Sequence, residues 1–177
     1  MRRIRQLVCS SLLAVTAVGA APAAASAAGC AGADSTPAQL GSKAGQVTLC
    51  LLNRERAARG LRPLRANAKL ARAARAHARD MVARHYFSHT SRSGASFATR
   101  IKRTGWTRSR RSYTVGENIG YGGGALASPR MMVDAWMHSA GHRANILARA
   151  FKQIGIGIAN GAPTGGSGAT YATDFGG

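Results

Sequence analysis

The spacing of apolar residues changes along this chain, and that change limits the folds open to it. Up to about residue 104 apolar positions recur every three or four residues; from residue 115 onward short alternating stretches appear as well. Val47, Leu51 and Leu52 set a first helix over residues 45–59, with Gly60 where a helix ends. Asn67 can cap a second, in which Leu70, Ala74, His77, Met81 and His85 recur at helical steps with alanines between them. Ser96 to Thr104 reads as a third helix carrying Phe97 and Ile101 and stopped by Gly105. Three strands are expected, over 115–120, over 153–159 where isoleucines alternate with glycines, and over 170–175. Ser128-Pro129 opens a further helix with Met132, Val133, Trp136 and Met137 as its inner stripe, and 142–147 adds another turn or two. Residues 160–168, rich in glycine, join the last two strands as a hairpin loop. Helices mainly first and strands mainly later predict an α+β domain, with helices packed on an antiparallel sheet.

The start of the chain stands outside that pattern. Met1-Arg2-Arg3-Ile4-Arg5 is a charged head, Leu7 to Ala20 an apolar middle, and Ala25-Ser26-Ala27 a small-residue end. That order predicts a signal peptide over 1–27. The apolar run of about 14 residues falls short of the roughly 20 that span a bilayer, so the processed chain is not expected to be transmembrane. Residues 28–44 read as a flexible arm and 45–177 as the domain proper. The 177 residues carry a formal charge of +19, three arginines of which leave with the signal, so +16 remains. Such a charge favours anionic neighbours. The arginines are scattered, however, and no RNP, zinc-finger or helix-turn-helix pattern accompanies them, so nucleic acid is not the expected partner.

Cys30 and Cys50 remain after processing, and two cysteines in an exported chain suggest a disulfide that pins the arm to the first helix. A rival reading has Cys30 lipidated, because Ala27-Ala28-Gly29-Cys30 loosely resembles a lipoprotein cleavage site.

Only six residues are acidic, so every carboxylate-dependent mechanism must draw on Asp34, Glu55, Asp80, Glu117, Asp134 or Asp174. Glu55 has Arg59 and Asp80 has Arg84 four residues on, the ordinary helical ion pairs. Glu117 has no local partner in its apolar strand, and is therefore either solvated at a cleft or bound to something. Of the five histidines, His77 and His85 suit a core or boundary role, whereas His89 and His142 sit at helix edges where metal ligands and acid–base groups gather. H-E-x-x-H, C-x-x-C, G-x-S-x-G and phosphate-cradling motifs do not occur.

Nine ordered stretches carry a family likeness. Leu52-Asn53-Arg54-Glu55-Arg56, Gly60-Leu61-Arg62-Pro63-Leu64 and His77-Ala78-Arg79-Asp80-Met81 come first. Tyr86-Phe87-Ser88-His89, Gly116-Glu117-Asn118-Ile119, Trp136-Met137 and Gly141-His142-Arg143-Ala144-Asn145-Ile146-Leu147 follow, with Ile154-Gly155-Ile156-Gly157 and Thr173-Asp174-Phe175 closing the series. The chain resembles the CAP superfamily of cysteine-rich secretory, antigen 5 and pathogenesis-related 1 proteins, and most of all its bacterial secreted branch. The resemblance implies an α-β-α sandwich with a surface cleft where two histidines and two glutamates gather, sometimes around a divalent metal such as zinc or magnesium. Carried over by motif, His89, His142 and the first glutamate, Glu117, are present. The second glutamate is not: Met137, His138 and Ser139 stand where it would fall.

Two histidines and one carboxylate would suffice for an open zinc-type site, but Glu117 as ligand would leave no glutamate as general base. Asp174 or His138 could serve only if the fold brings them near. Three functions follow as expectations: a secreted binding module for a lipid-like or anionic envelope ligand, a metal-dependent hydrolase built on His89, Glu117 and His142, and a structural protein whose polar network only holds helices to the sheet.

Overall fold

The computed structural model describes residues 29–177; the expected signal peptide lies outside the described residues. The elements run α1 (Pro37–Leu40), α2 (Ala44–Ala57), β1 (Arg65–Ala66), α3 (Ala68–Ala83), α4 (Phe97–Arg103), β2 (Val115–Gly122), α5 (Pro129–His138), α6 (Ala140–Leu147), β3 (Gln153–Asn160) and β4 (Ala169–Gly176). The four strands form one sheet in the order β1-β3-β4-β2. Helices α3 and α4 cover one face and α2, α5 and α6 the other, which makes an α-β-α sandwich. β4 pairs antiparallel with both neighbours, as expected. β1 departs from the expected antiparallel sheet: it pairs parallel with β3, Arg65 opposite Gln153. Two residues are too short for alternation to show in a sequence.

The Ile-Gly alternation of β3 has a packing cause. Ile154 belongs to the core on the α2/α5/α6 side, where Ile156 and Ile158 also pack. Gly155 and Gly157 turn to α3, which lies almost on the strand. A Cβ at Gly155 would stand 2.0 Å from the Ala71 nitrogen, and one at Gly157 2.1 Å from the Arg75 nitrogen. Both obstacles are backbone, so the helix itself would have to move. All eight residues of β4, flanked on both edges and both faces, are buried.

Helix ends follow the capping residues. Asn67 accepts from the Lys69 and Leu70 nitrogens, Ser96 from Thr99, and Ser128 from Met131 with Pro129 in the first turn. His85 leaves the expected stripe, since α3 ends at Ala83 and His85 is exposed with a φ of 50°. The segment expected as an arm makes contacts with the domain. Cys30 and Ala33 are buried, the Arg130 nitrogen donates to the Ala33 carbonyl, and the Arg130 guanidinium pairs with Asp34. Cys30 and Cys50 form a disulfide with Cα atoms 5.9 Å apart.

Arg56 ties the two ends of the α2/α6 layer together. It is 2 % exposed, and its guanidinium donates to the carbonyls of Arg62 (2.9 Å), Ile146 (2.6 Å) and Ala148 (3.0 Å). The last two belong to the C-terminal turn of α6, whose carbonyls have no partner within the helix.

Gly157→Ala is predicted to lower unfolding stability by about 3 kcal/mol through overpacking, read as a shifted urea midpoint at unchanged slope. Cys50→Ala should cost a similar amount, about 3 kcal/mol, by releasing the 20-residue closure. A loss below about 0.5 kcal/mol for either would contradict the packing described.

Candidate functional site

Glu117 points from β2 into the α3/α4 layer, and its side chain is 0 % exposed. Oε2 accepts from Arg100 Nη2 at 2.6 Å, and Oε1 lies 2.8 Å from His89 Nδ1. Arg100, itself buried in α4, also donates through Nη1 to the carbonyls of His89 (3.0 Å) and Ala95 (2.9 Å) and to Ser91 Oγ (3.1 Å). One guanidinium thus fixes both the carboxylate and the loop that presents His89. Half of the His89 side chain, 49 %, remains in solvent.

Asp174 lies directly across the β2–β4 ladder from Glu117. It is fully buried, and neither carboxyl oxygen has a hydrogen-bond partner among the described residues. Burial, and then the Glu117 carboxylate beside it, push Asp174 well above the usual carboxylate range, against the pull of Arg100. Burial beside Glu117 therefore favours the protonated form of Asp174. His77 closes the inner side: it is buried, with Nε2 2.9 Å from the Ser88 carbonyl, and burial holds its pKa below the ordinary imidazole value. It plays the core role its helical spacing suggests.

His142 arrives from the opposite layer, in the first turn of α6. Asn118 Nδ2 donates to the His142 carbonyl at 3.1 Å, and Asn145 Nδ2 donates to Asn118 Oδ1 at 2.9 Å. The Gly-Glu-Asn stretch therefore works on both faces of β2, the glutamate holding His89 and the asparagine holding α6. His142 is half-buried, and burial, followed by repulsion from His89, lowers its pKa. That repulsion puts the two imidazoles within electrostatic reach of each other, near the outer edge of β2. That edge is closed to further strand pairing where Asn145 caps the Glu117 carbonyl and Trp136 Nε1 the Ile119 carbonyl. Of the two reserve groups, Asp174 joins Glu117, whereas His138 is exposed and turns to the Asp134 carbonyl at 2.9 Å.

A three-ligand metal set with Glu117 does not fit this geometry, because both its oxygens face protein donors and its side chain is sealed from the cleft. Among the described residues no three His, Cys, Asp or Glu side chains are arranged around one ion. The donors left at the cleft are His89 Nε2 and the His142 imidazole, nitrogens that suit zinc and not the oxygen-seeking magnesium. In that case Glu117 would orient His89 from behind.

Arg100 is the residue that sequence reasoning missed. It stands three residues after Phe97 and just before Ile101, on the inner stripe of its helix, and a cation on a buried stripe signals a buried anion.

Asp174 gives the site a pH signature. Its native pKa lies above the unfolded value, so its contribution is complete below about pH 4 and is lost as pH rises through the native pKa. Asp174→Asn keeps the shape and removes the proton. It should be near neutral in effect at about pH 4 and stabilising at pH 7, measured as a raised urea midpoint. A loss of stability at pH 7 would mean that the ionised carboxylate is needed.

The model of the cysteine-rich secretory protein family, CAP, matches residues 49–173. Uncharacterized protein YkwD of Bacillus subtilis is 40% identical over 107 residues, which are 60% of this chain and 39% of that protein. An extracellular protein containing a SCP domain from Bacillus anthracis shares 26% identity at a TM-score of 0.61, over 73% of this chain and 39% of that one. An outer surface protein of Borrelia burgdorferi has the same fold, with a TM-score of 0.63 at 17% identity over 76% of this chain and 92% of its own. The chain thus spans about two fifths of the length of the two Bacillus proteins. The family model covers well over half of the chain, and the chain belongs to the cysteine-rich secretory protein (CAP) family.

Proposed function

We propose that this protein is an exported binding domain whose cleft, between His89 and His142, takes a lipid-like or anionic ligand of the cell envelope. The observation that carries this reading is the state of the carboxylates. Glu117 is sealed and doubly engaged, and Asp174 is buried behind it, so the cleft offers no carboxylate to activate a water. What it does offer is imidazole and aromatic surface. Phe87, two residues before His89, and Tyr121, on the strand face that carries Glu117, meet edge to face at 4.9 Å and are both more than two fifths exposed. An exposed aromatic pair two residues from His89 suits a ligand with an apolar chain and an anionic head. The extracellular and outer-surface descriptions of the structural relatives support the location. No helix among the described residues is long and apolar enough to cross a membrane.

The test is binding of a fluorescent single-chain fatty acid to the purified protein, alone and after treatment with a chelator. The double change Phe87→Ala and Tyr121→Ala should weaken binding about tenfold, the loss of roughly 1.4 kcal/mol, while leaving the unfolding midpoint unchanged. His89→Ala and His142→Ala should each weaken it as well. Binding that survives all four changes would place the ligand elsewhere, and hydrolysis of an ester analogue abolished by His89→Ala would replace the binding reading with an enzymatic one.

A further inference from the structure

A second concave surface shares no residue with the cleft. Where the α2–β1 connection, the α6–β3 connection and the ends of β3 and β4 meet, a groove of about 1030 Å³ is lined by Arg62, Arg65, Arg110, Arg149 and Lys152 above Trp106. No Asp or Glu side chain lines it. Three exposed arginines elsewhere find carboxylates, Arg59 with Glu55, Arg84 with Asp80 and Arg130 with Asp34, while others on the surface, such as Arg75 and Arg79, have no carboxylate partner among the described residues. None of the five groove cations makes an ion pair with a described residue. In a chain with 25 basic and six acidic residues some cations must stay unpaired, but here five converge on one concavity.

The groove is also built, not only charged. The Arg110 guanidinium lies over the Trp106 ring, 3.9 Å from its centroid, and donates to the Trp106 carbonyl and to Gln153 Oε1 at 3.1 Å. Trp106 Nε1 holds the same Gln153 oxygen at 2.9 Å, so the cation is fixed from three sides before any ligand arrives. Beneath the floor, Arg56 adds a buried positive charge answered only by carbonyls. A fixed guanidinium and mobile cations around it match oxyanions spaced along a chain, since planar guanidinium forks fit phosphate oxygens. Both aromatic rings of the lining, Trp106 and Phe151, are buried, so the groove itself offers nucleobases no ring to stack on; the exposed Tyr113, edge to face with Trp106, lies outside the lining.

We propose that this groove binds a base-free phosphodiester polymer of the cell envelope. The choice of an envelope polymer rests on the exported location argued above; the groove itself does not depend on the His89–His142 cleft. Several phosphates occupy it at once, Arg110 as the fixed contact and Arg62, Arg65, Arg149 and Lys152 along the walls.

The experiment is a titration of the purified protein with poly(glycerol phosphate) over a range of salt concentrations. Arg65, Arg149 and Lys152 are exposed and make no side-chain hydrogen bond with a described residue, so changing all three to Gln leaves the core untouched. The triple variant should lose at least about tenfold in affinity, and its dependence of log affinity on log salt should flatten by roughly 2 to 3. A control of equal charge, Lys43→Gln with Arg75→Gln and Arg79→Gln on exposed positions outside the groove, should lose much less. Equal losses in both triples would show diffuse attraction by net charge and overturn the proposal. So would failure of the unaltered protein to bind at low salt, and so would tighter binding of single-stranded DNA at matched phosphate number. The fatty-acid titration of the cleft is read separately, and Phe87→Ala with Tyr121→Ala should leave polymer binding unchanged.

Discussion

A carboxylate with no exposed surface stays charged only if cations and donors surround it, and Glu117 meets that condition through Arg100 and His89. Much of the site depends on this arrangement. Arg100 reaches Glu117 only because α4 lies against the sheet, and the same guanidinium collects three groups of the loop that carries His89. Remove the charge on Glu117 and Arg100 becomes an unpaired buried cation, while His89 loses the acceptor that sets its ring. Asp174, one strand away, accommodates the charge by keeping its own proton. The polar centre is therefore a single unit drawn from two strands, one helix and one loop.

That unit decides what the cleft can do. Glu117 serves as the support of His89, so the chemistry available at the surface is that of two imidazoles, one half in solvent and one half-buried. The second glutamate expected from the family resemblance has no substitute here, since Met137 is buried, His138 faces away and Asp174 is sealed. The cationic groove at the far connections of the sheet is a separate device, because its arginines owe nothing to Glu117.

Much of the architecture was legible in the residues. Caps at Asn67, Ser96 and Ser128, the stripe of α5 and the alternation of β3 each follow from local physics, and each stands in the structure. Three features were not. β1 is too short to show a period, the hold of Arg130 on Ala33 and Asp34 joins residues far apart in the chain, and the departure of His85 from its helix is a backbone event at one residue. At the site, Glu117 stood out as a carboxylate lacking local partners, but its partners come from 17 and 28 residues away. Sequence spacing reports neighbours along a helix or strand and is silent on such pairings, although Arg100 on an inner stripe was a visible sign.

The claim that Glu117 supports His89 can be read directly from the imidazole. Free neutral histidine favours the Nε2–H form, whereas a ring whose Nδ1 faces a carboxylate must carry its proton on Nδ1. Long-range nitrogen–proton correlation spectra of the nitrogen-15-labelled protein, recorded above the pH at which His89 titrates, distinguish the two. The account predicts the Nδ1–H form for His89 in the unaltered protein and its loss in Glu117→Ala. An Nε2–H form in the unaltered protein would mean that Glu117 does not hold the ring, and the cleft described here would lose its support.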